Sequence, residues 1–241
     1  MFGKEIKSIT DLHCHILPGI DDGAENLESA IALLKEQKAQ GVDRIVFTPH
    51  FWSFQKTVKQ FSKDRYNAAE QLAPYLDEFG IEWGAGAEVR MTPELLKMDL
   101  RHLNIVGTSY FLLEWPFTQF PLYGREVVEQ IQDLDYTPIF AHIERYDYFW
   151  SNPKELDDYI DEGIVCQINP GILLNSDTRK YALKMIRDGY VHVLSSDAHS
   201  MEKRPPHLKV AYQIVEKGLG RRYSDKLKRN AECIFYGHEI E

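Results

Sequence analysis

The chain has 241 residues, of which 44% are hydrophobic and 27% charged, and this is the balance of an ordinary soluble globular protein. Its formal net charge of −9 argues against a broad phosphate-binding surface for nucleic acid. Three cysteines cannot form a closed disulfide set, and no apolar run approaches the roughly 20 residues of a membrane span. We therefore predict a cytoplasmic protein that binds no nucleic acid and does not insert into a membrane.

Short β-rich runs alternate with amphipathic helical stretches along the chain. The predicted strands cover residues 8–15, 44–50, 81–89, 105–114, 137–143, 164–169 and 190–199. The predicted helices cover residues 25–40, 63–79, 93–101, 124–134, 153–162, 176–188 and 206–217, and most of 111–124 is predicted as loop. No internal repeat or Gly/Ser linker interrupts this alternation, which favours a single domain over residues 1–241.

Seven β–α units predict an α/β fold with a parallel sheet. In a chain of this length they suggest a closed or nearly closed (β/α)7 barrel similar to a TIM barrel. The alternative is an open doubly wound sheet, and periodicity alone does not separate the two.

Side chains that can bind metal stand at the carboxyl ends of six of the seven predicted strands. The first and last strands each carry two such residues separated by one position, so both side chains of a pair lie on one face. The set is His13, His15, His50, Glu88, Glu114, His142, Asp197 and His199. Asp22, in the first loop, either joins them or serves the turn and the helix start. Barrel active sites are assembled at this end of the strands, so the pattern predicts a metal centre there.

Nine nitrogen and oxygen donors exceed the roughly four to six that one zinc or manganese ion takes, which favours two or three ions with shared carboxylates. No cysteine stands at these positions, which favours manganese, iron or zinc bound by nitrogen and oxygen over a structural thiolate zinc site. We expect Asp11 to lie behind the ligands. Cys14, between His13 and His15, is predicted to be a small buried residue on the reverse face of its strand.

Other catalytic motifs are absent from the sequence. A cysteine phosphatase needs an arginine six positions after the cysteine, and those positions hold Ile20, Ile172 and Glu239. There is no P-loop, dinucleotide-binding loop or G-x-S-x-G elbow. Arg145 and Arg204 follow two ligand-bearing strand ends, where a guanidinium suits phosphate oxygens; a salt bridge, for instance with Glu144, is the alternative.

The segments "DLHCH…DDG", "TPH", "GAE", "FLLEWP", "AHIERY" and "SSDAH" resemble, in order, the PHP (polymerase and histidinol phosphatase) superfamily. Within it they look like the bacterial manganese-dependent protein-tyrosine phosphatases of capsule and exopolysaccharide operons. The resemblance implies a PHP fold, which is a distorted (β/α)7 TIM-like barrel, with a trinuclear metal site. It further implies that His13, His15, Glu88 and Asp197 hold one ion, that Glu88, Glu114 and His142 hold a second, and that Asp22, His50 and His199 hold a third. Arg145 and Arg204 match the phosphate-binding arginines of the family.

The resemblance therefore implies three divalent ions, manganese first and iron or zinc as alternatives. It implies hydrolysis of phosphotyrosine in a protein, such as a bacterial tyrosine kinase that controls capsule or exopolysaccharide synthesis. Two other functions stay open: the same chemistry on a small phosphate ester such as histidinol phosphate, and a catalytically silent metal-binding partner of a kinase. An oligomer is possible.

Overall fold

A computed structural model of the chain describes residues 8–240. Within them, nine short strands pair in parallel. The strands are β1 (Ile9–Cys14), β2 (Val42–Phe47), β3 (His50–Phe51), β4 (Glu82–Ala85), β5 (Glu88–Arg90), β6 (Tyr110–Glu114), β7 (Thr137–Phe140), β8 (Val165–Ile168) and β9 (Val193–Leu194). They form a three-stranded sheet in the order β1-β2-β4 and a six-stranded sheet in the order β3-β5-β6-β7-β8-β9. This is a mixed α/β fold with parallel sheets, as predicted.

Two of the predicted strands are each broken into halves that belong to different sheets. The break between β2 and β3 falls at Thr48–Pro49, where proline cannot donate a ladder hydrogen bond, and the break between β4 and β5 falls at Gly86–Ala87. Hydrogen bonds from Gly86 N to Phe47 O (2.8 Å) and from Glu88 N to Pro49 O (3.1 Å) connect the two broken strands across these points. The second halves of these strands, β3 and β5, therefore place His50 and Glu88 in the six-stranded sheet.

The ends of the first and last predicted strands are also joined. Cys14 forms a parallel bridge with Ala198. Asp197 N donates to His13 O at 2.8 Å, and His15 N donates to Ala198 O at 2.9 Å. The two segments with paired metal-competent residues are therefore hydrogen-bonded neighbours, although they are far apart in the chain.

Most of the helices lie between the strands along the chain, and the last two come after β9. They are α1 (Leu27–Ala39), α2 (Val58–Phe79), α3 (Gly124–Asp133), α4 (Asp147–Trp150), α5 (Asp157–Asp161), α6 (Gly171–Leu174), α7 (Ser176–Arg187), α8 (Leu208–Leu219) and α9 (Arg221–Phe235). Shorter 3-10 turns cover Pro93–Lys97, Ile143–Arg145 and Pro153–Leu156. None of the helices in residues 8–240 has the length and apolar character needed to cross a membrane.

Each predicted strand overlaps at least one observed strand, and four predicted helices have nearly the observed bounds. Helix α2 begins at Val58, earlier than predicted, because the Thr57 side chain accepts a hydrogen bond from Gln60 N and caps it. The prediction of a helix over 93–101 is wrong, since only a 3-10 turn forms there. The predicted helix 153–162 is divided into a 3-10 turn and α5.

Helix α9 is not predicted by the sequence pattern, because charged side chains surround a narrow apolar stripe. The stripe contains Leu227, Ala231 and Ile234, all buried. Ala231 and Ile234 pack with Leu12 and Val46 in a small apolar cluster that also includes alternate residues of β6, β7, β8 and β9. The helix thus covers an apolar face of the strands.

Candidate metal centre

The strand face that forms this small apolar cluster becomes polar at the carboxyl ends of the strands. On β6, Leu112 belongs to the cluster, and Glu114 follows at the same parity. On β8, Val165 belongs to the cluster and Gln167 follows. Strand pleating therefore directs these functional side chains to the same side as the apolar residues below them.

All nine residues that the sequence singles out as ligands come together here. Each has a nitrogen or oxygen atom within 3.9 Å of such an atom in another member. Three groups have donor atoms within 4.8 Å of one another: His13, His15, Glu88 and Asp197; His15, Asp22, His50 and His199; and His50, Glu88 and Glu114.

The most enclosed group converges on a single point. His13 Nε2 and His15 Nε2 lie 3.1 Å apart. Glu88 Oε2 is 3.3 Å and 3.1 Å from these two nitrogens, and Asp197 Oδ1 is 3.5 Å and 3.4 Å from them. All four side chains are buried. Two imidazole nitrogens and two carboxylate oxygens directed at one point are a donor set that suits a divalent cation.

The other two groups extend the cluster to both sides. Asp22 Oδ1 lies 3.3 Å from His50 Nε2 and 3.4 Å from His199 Nε2. On the other side, His50 Nδ1 lies 2.9 Å from Glu88 Oε2, and Glu114 completes that group. His142 belongs to none of the three groups but stands beside this one, with its Nε2 2.7 Å from Glu88 Oε1 and 3.9 Å from Glu114 Oε1. Glu88 belongs to two of the groups, so its carboxylate is placed to bridge two ions.

The charges of the cluster depend on one another. Burial opposes ionisation of Glu88, but His13 and His50 hold the pKa of its carboxyl well below the usual range. Burial also disfavours a charged His15, yet Asp21 and Asp197 outweigh it and raise the pKa of that imidazole. The Glu88 carboxyl is therefore ionised and surrounded by imidazoles, whereas burial and the neighbouring Glu88 raise the pKa of the Glu114 carboxyl.

Several donor atoms of the cluster lack an ordinary partner. Glu88 Oε2 and His199 Nε2 are buried and have no hydrogen-bond partner among residues 8–240. An unpartnered buried polar atom is costly, and a bound cation would satisfy both an anionic oxygen and a nitrogen lone pair. The residues present therefore fit divalent metal ions.

Two of these residues are held in unusual backbone conformations. His142 has φ 32° and Asp197 has φ 49°, both in the left-handed region that non-glycine residues rarely adopt. His142 is the second residue after β7, and Asp197 is the third residue after β9. Both side chains contact other members of the cluster, and backbone strain of this kind is typical of functional sites.

Two residues of the sixth predicted strand, Gln167 and Asn169, were missed by sequence reasoning. His142 N donates a hydrogen bond to Gln167 Oε1 at 2.8 Å. Since an amide oxygen only accepts, His13 Nδ1, 3.1 Å from the same oxygen, carries a proton and donates it. The Nε2 lone pair of His13 is thereby left for the cluster. Gln167 Nε2 donates to Asn169 Oδ1, and Asn169 Nδ2 donates to Asp197 Oδ2 at 2.8 Å. A Q-x-N pattern at the end of a buried strand could have revealed both.

The "DDG" turn gives its two aspartates different tasks. Asp21 Oδ2 lies 2.7 Å from His15 Nδ1 and accepts from His50 N at 3.0 Å, so it orients two imidazole-bearing segments. Asp22 is the residue that faces His50 and His199. Gly23 is required because a Cβ there would lie 2.0 Å from His15 O.

Asp11 and Cys14 lie behind the cluster. Asp11 Oδ1 accepts from Ser196 N at 2.8 Å, so the buried carboxyl ties β1 to the segment after β9. Cys14 is buried with its Sγ 3.5 Å from Val46 O, and burial raises the pKa of its thiol well above the usual value. A thiol in this environment is a poor nucleophile.

Three arginines stand at the rim. Arg145 Nη1 is 3.6 Å and Arg204 Nη1 is 3.5 Å from Asp197 Oδ2, and both side chains are partly exposed. Arg90, which sequence reasoning did not single out, donates to Glu114 Oε2 at 3.0 Å. The guanidinium groups of Arg90 and Arg145 lie over the Phe117 ring at 4.8 Å and 4.5 Å from its centroid. Partly exposed guanidinium groups beside a buried metal-competent cluster suit a phosphate ester.

Comparison with known proteins identifies the family. The sequence profile described as capsular polysaccharide synthesis, CpsB/CapC, matches residues 9–236. The chain belongs to the CpsB/CapC family. This confirms the resemblance seen in its motifs.

Two curated relatives and one solved structure agree with the family assignment. Tyrosine-protein phosphatase YwqE of Bacillus subtilis (strain 168) is 30% identical over 239 residues, which cover 95% of this chain and 92% of YwqE. Tyrosine-protein phosphatase CpsB of Streptococcus pneumoniae is 31% identical over 229 residues, which cover 90% of this chain and 93% of CpsB. A chain from the crystal structures of YwqE and CpsB, described as unique metal-dependent tyrosine phosphatases, matches with a TM-score of 0.86 and 28% identity, covering 97% of this chain and 96% of that one.

Proposed function

We propose that this member of the CpsB/CapC family is a metal-dependent phosphomonoesterase that hydrolyses phosphotyrosine in a protein. The observation that carries the proposal is the convergence of nine metal-competent side chains beneath a rim of arginines. The relatives named tyrosine-protein phosphatases support the same activity.

Three divalent ions are proposed, with manganese first and iron or zinc as alternatives. The ligands would be His13, His15, Asp22, His50, Glu88, Glu114, His142, Asp197 and His199, with Glu88 shared between ions. Bound there, the ions would supply Lewis-acid activation of a nucleophilic water and neutralise charge on the phosphoryl group.

The chain itself would position the ester and stabilise charge. Arg145 and Arg204 would bind the phosphoryl oxygens through their guanidinium forks, and would stabilise the charge of the transition state. Gln167 and Asp21 would hold His13 and His15 in the tautomers that leave Nε2 free for a metal. A phenol, with a pKa of about 10, leaves more readily than an alkyl alcohol, so little general-acid assistance is needed.

The proposal includes the architecture and the cellular setting. The seven strand units and the Cys14–Ala198 bridge support one distorted (β/α)7 barrel in a single domain over residues 1–241, rather than an open doubly wound sheet. Cys14 and Cys166 are buried thiols without a disulfide, which suits the reducing cytoplasm. A bacterial tyrosine kinase of capsule or exopolysaccharide synthesis is the proposed partner.

The test is turnover of a phosphotyrosine peptide and of histidinol phosphate by purified protein, with and without manganese, alongside metal content per chain. We expect metal-dependent turnover of the peptide, and a loss of at least about 100-fold in His13→Ala and Asp197→Ala. Turnover that survives complete chelation would overturn the metal requirement, and turnover that persists in both variants would overturn the site. A preference for histidinol phosphate would favour the small-ester alternative, and inactivity of the metal-loaded protein would favour a silent binder.

A further inference from the structure

A row of stacked rings leads outward from the metal-competent cluster. The His50 and Trp52 rings are stacked with centroids 5.4 Å apart, and the Trp52 and Phe54 rings are nearly parallel with centroids 6.0 Å apart. The outermost ring, Phe54, is 74% exposed. A large aromatic side chain held open beside a candidate active site marks a surface that binds another molecule.

Two adjoining cavities follow this row. The first, of about 260 Å³, is lined by the proposed ligands Asp22 and His50 and by Trp52. The second, of about 900 Å³, is lined by Phe54 and extends along α2. Gln55 and Lys56 line both cavities, so the two are neighbours. We call the two cavities together with Trp52 and Phe54 the outer groove.

The larger cavity carries positive charge although the whole protein is acidic. Its charged lining consists of Lys56, Lys59, Arg65, Arg101 and Asp99. Asp99 pairs with Arg101, and Lys56 pairs with Asp64 at 2.8 Å. Lys59 is exposed and has no acidic partner among residues 8–240. With Asp64 included, four cations stand against two carboxylates. Arg65 is buried and donates to Gly86 O and His102 O, so Lys59 is the exposed cation that is complementary to an anionic ligand.

The size of the outer groove exceeds the needs of a small phosphate ester. With a substrate phosphate bound at the cluster, the larger cavity and Phe54 would be free to contact the part of the substrate beyond the phosphorylated side chain. A polypeptide has both kinds of group that this surface can bind. Its apolar side chains can pack on the exposed aromatic rings, and its carboxylates can pair with the lysines.

We propose that the outer groove binds an acidic polypeptide segment next to the phosphotyrosine of the substrate. This inference rests on the proposed phosphatase function and adds the chemistry of the sequence around the target tyrosine. Phe54 supplies apolar contact and Lys59 supplies charge. The groove thereby selects a phosphorylated protein over a small phosphate ester.

The test uses the metal-loaded full chain and three substrates: a phosphotyrosine peptide with Asp and Glu flanks, one with neutral flanks of equal length, and para-nitrophenyl phosphate. In Phe54→Ala we expect the ratio of kcat/KM for the acidic peptide to that for the small ester to fall about fivefold. In Lys59→Glu we expect the preference for acidic over neutral flanks to fall about threefold. Raising ionic strength to about 0.5 M should reduce the wild-type preference as well.

Matched controls separate these effects from general exposure and charge. Val106→Ala removes another exposed apolar side chain, 58% exposed and located just before β6. Lys180→Glu makes the same change of charge on α7, outside the groove. Both controls should keep the wild-type ratios.

Equal losses on peptide and small ester in Phe54→Ala would overturn the proposal, because the variant would then act through the metal site. Unchanged ratios in both groove variants would overturn it too. If the wild type hydrolyses none of the three substrates, the proposed function fails separately. Anisotropy titration of a fluorescent acidic phosphopeptide then tests whether the outer groove binds the peptide. Weaker binding by Phe54→Ala and Lys59→Glu than by the wild type supports the proposal, and equal binding overturns it.

Discussion

Replacing Gln167 by leucine should weaken metal binding without removing any proposed ligand. Gln167 Oε1 accepts from His142 N at 2.8 Å and from His13 Nδ1 at 3.1 Å. Leucine has a similar size but accepts neither bond. His142 and His13 both lose the contact that fixes their orientation toward the cluster.

The magnitude follows from the buried donors that the substitution leaves without an acceptor. Each unsatisfied buried N–H costs about 1–3 kcal/mol, so the two together should lower the free energy of unfolding of the metal-free protein by about 2–6 kcal/mol. Loss of a partner that orients a metal-binding histidine typically costs about 10–100-fold in metal affinity. We expect the half-saturating manganese concentration for turnover to rise by that factor.

Two measurements check this prediction: urea unfolding in the presence of chelator, and turnover of a phosphotyrosine peptide against manganese concentration. Cys166→Ala is the matched control, since Cys166 is the buried preceding residue of β8 and packs on the opposite side in the main apolar core. The control should lose stability while keeping the wild-type half-saturating concentration. The reasoning is refuted if Gln167→Leu needs no more manganese than Cys166→Ala.

Three further predictions each concern a single residue. In Gly23→Ala the new Cβ would lie 2.0 Å from His15 O, so the turn must move, and turnover should fall at least about tenfold; wild-type turnover would contradict this. Phe117→Leu removes the ring under Arg145, so the KM for phosphotyrosine peptide should rise about threefold while Phe117→Tyr stays near wild type; equal KM values in all three proteins would argue against the stacking role. Burial lowers the pKa of His192 from 6.5 to about 4 in the folded protein. As the pH drops from 6.5 to 4, the unfolded state therefore becomes protonated at His192 while the folded state does not. The free energy of unfolding should fall by up to about 3 kcal/mol over this range. Urea unfolding across this range should show that His192→Gln lacks this loss, and equal pH slopes in the two proteins would refute it.

Strand positions and the residues at their ends were accessible from the sequence because both depend on local patterns. A strand has a period of two, so H-x-H and D-x-H place both side chains of a pair on one side. Parallel strands bring their carboxyl ends to the same edge, so residues as distant in the chain as His15 and His199 were expected to meet. Their rings are in fact stacked with centroids 3.9 Å apart.

The sequence did not predict elements with a weak periodic pattern, or elements that are stabilised mainly by packing against the rest of the fold. Helix α9 has a charged surface, and only its apolar contacts with Leu12 and Val46 show why it forms. The segment 93–101 has a helical pattern, but it forms only a 3-10 turn at Pro93–Lys97. Local composition does not report the contacts that decide such cases.

The sequence by itself determined which chemistry the chain can perform, because residue types and their spacing are local properties. Only the tertiary structure decided which atoms share a point in space. The strand breaks at Thr48–Pro49 and Gly86–Ala87 bring His50 and Glu88 into register, and the left-handed backbone at His142 and Asp197 aims their side chains inward. Sequence spacing could not assign different tasks to Asp21 and Asp22 or find Gln167, since hydrogen bonds between distant strands depend on register and loop path.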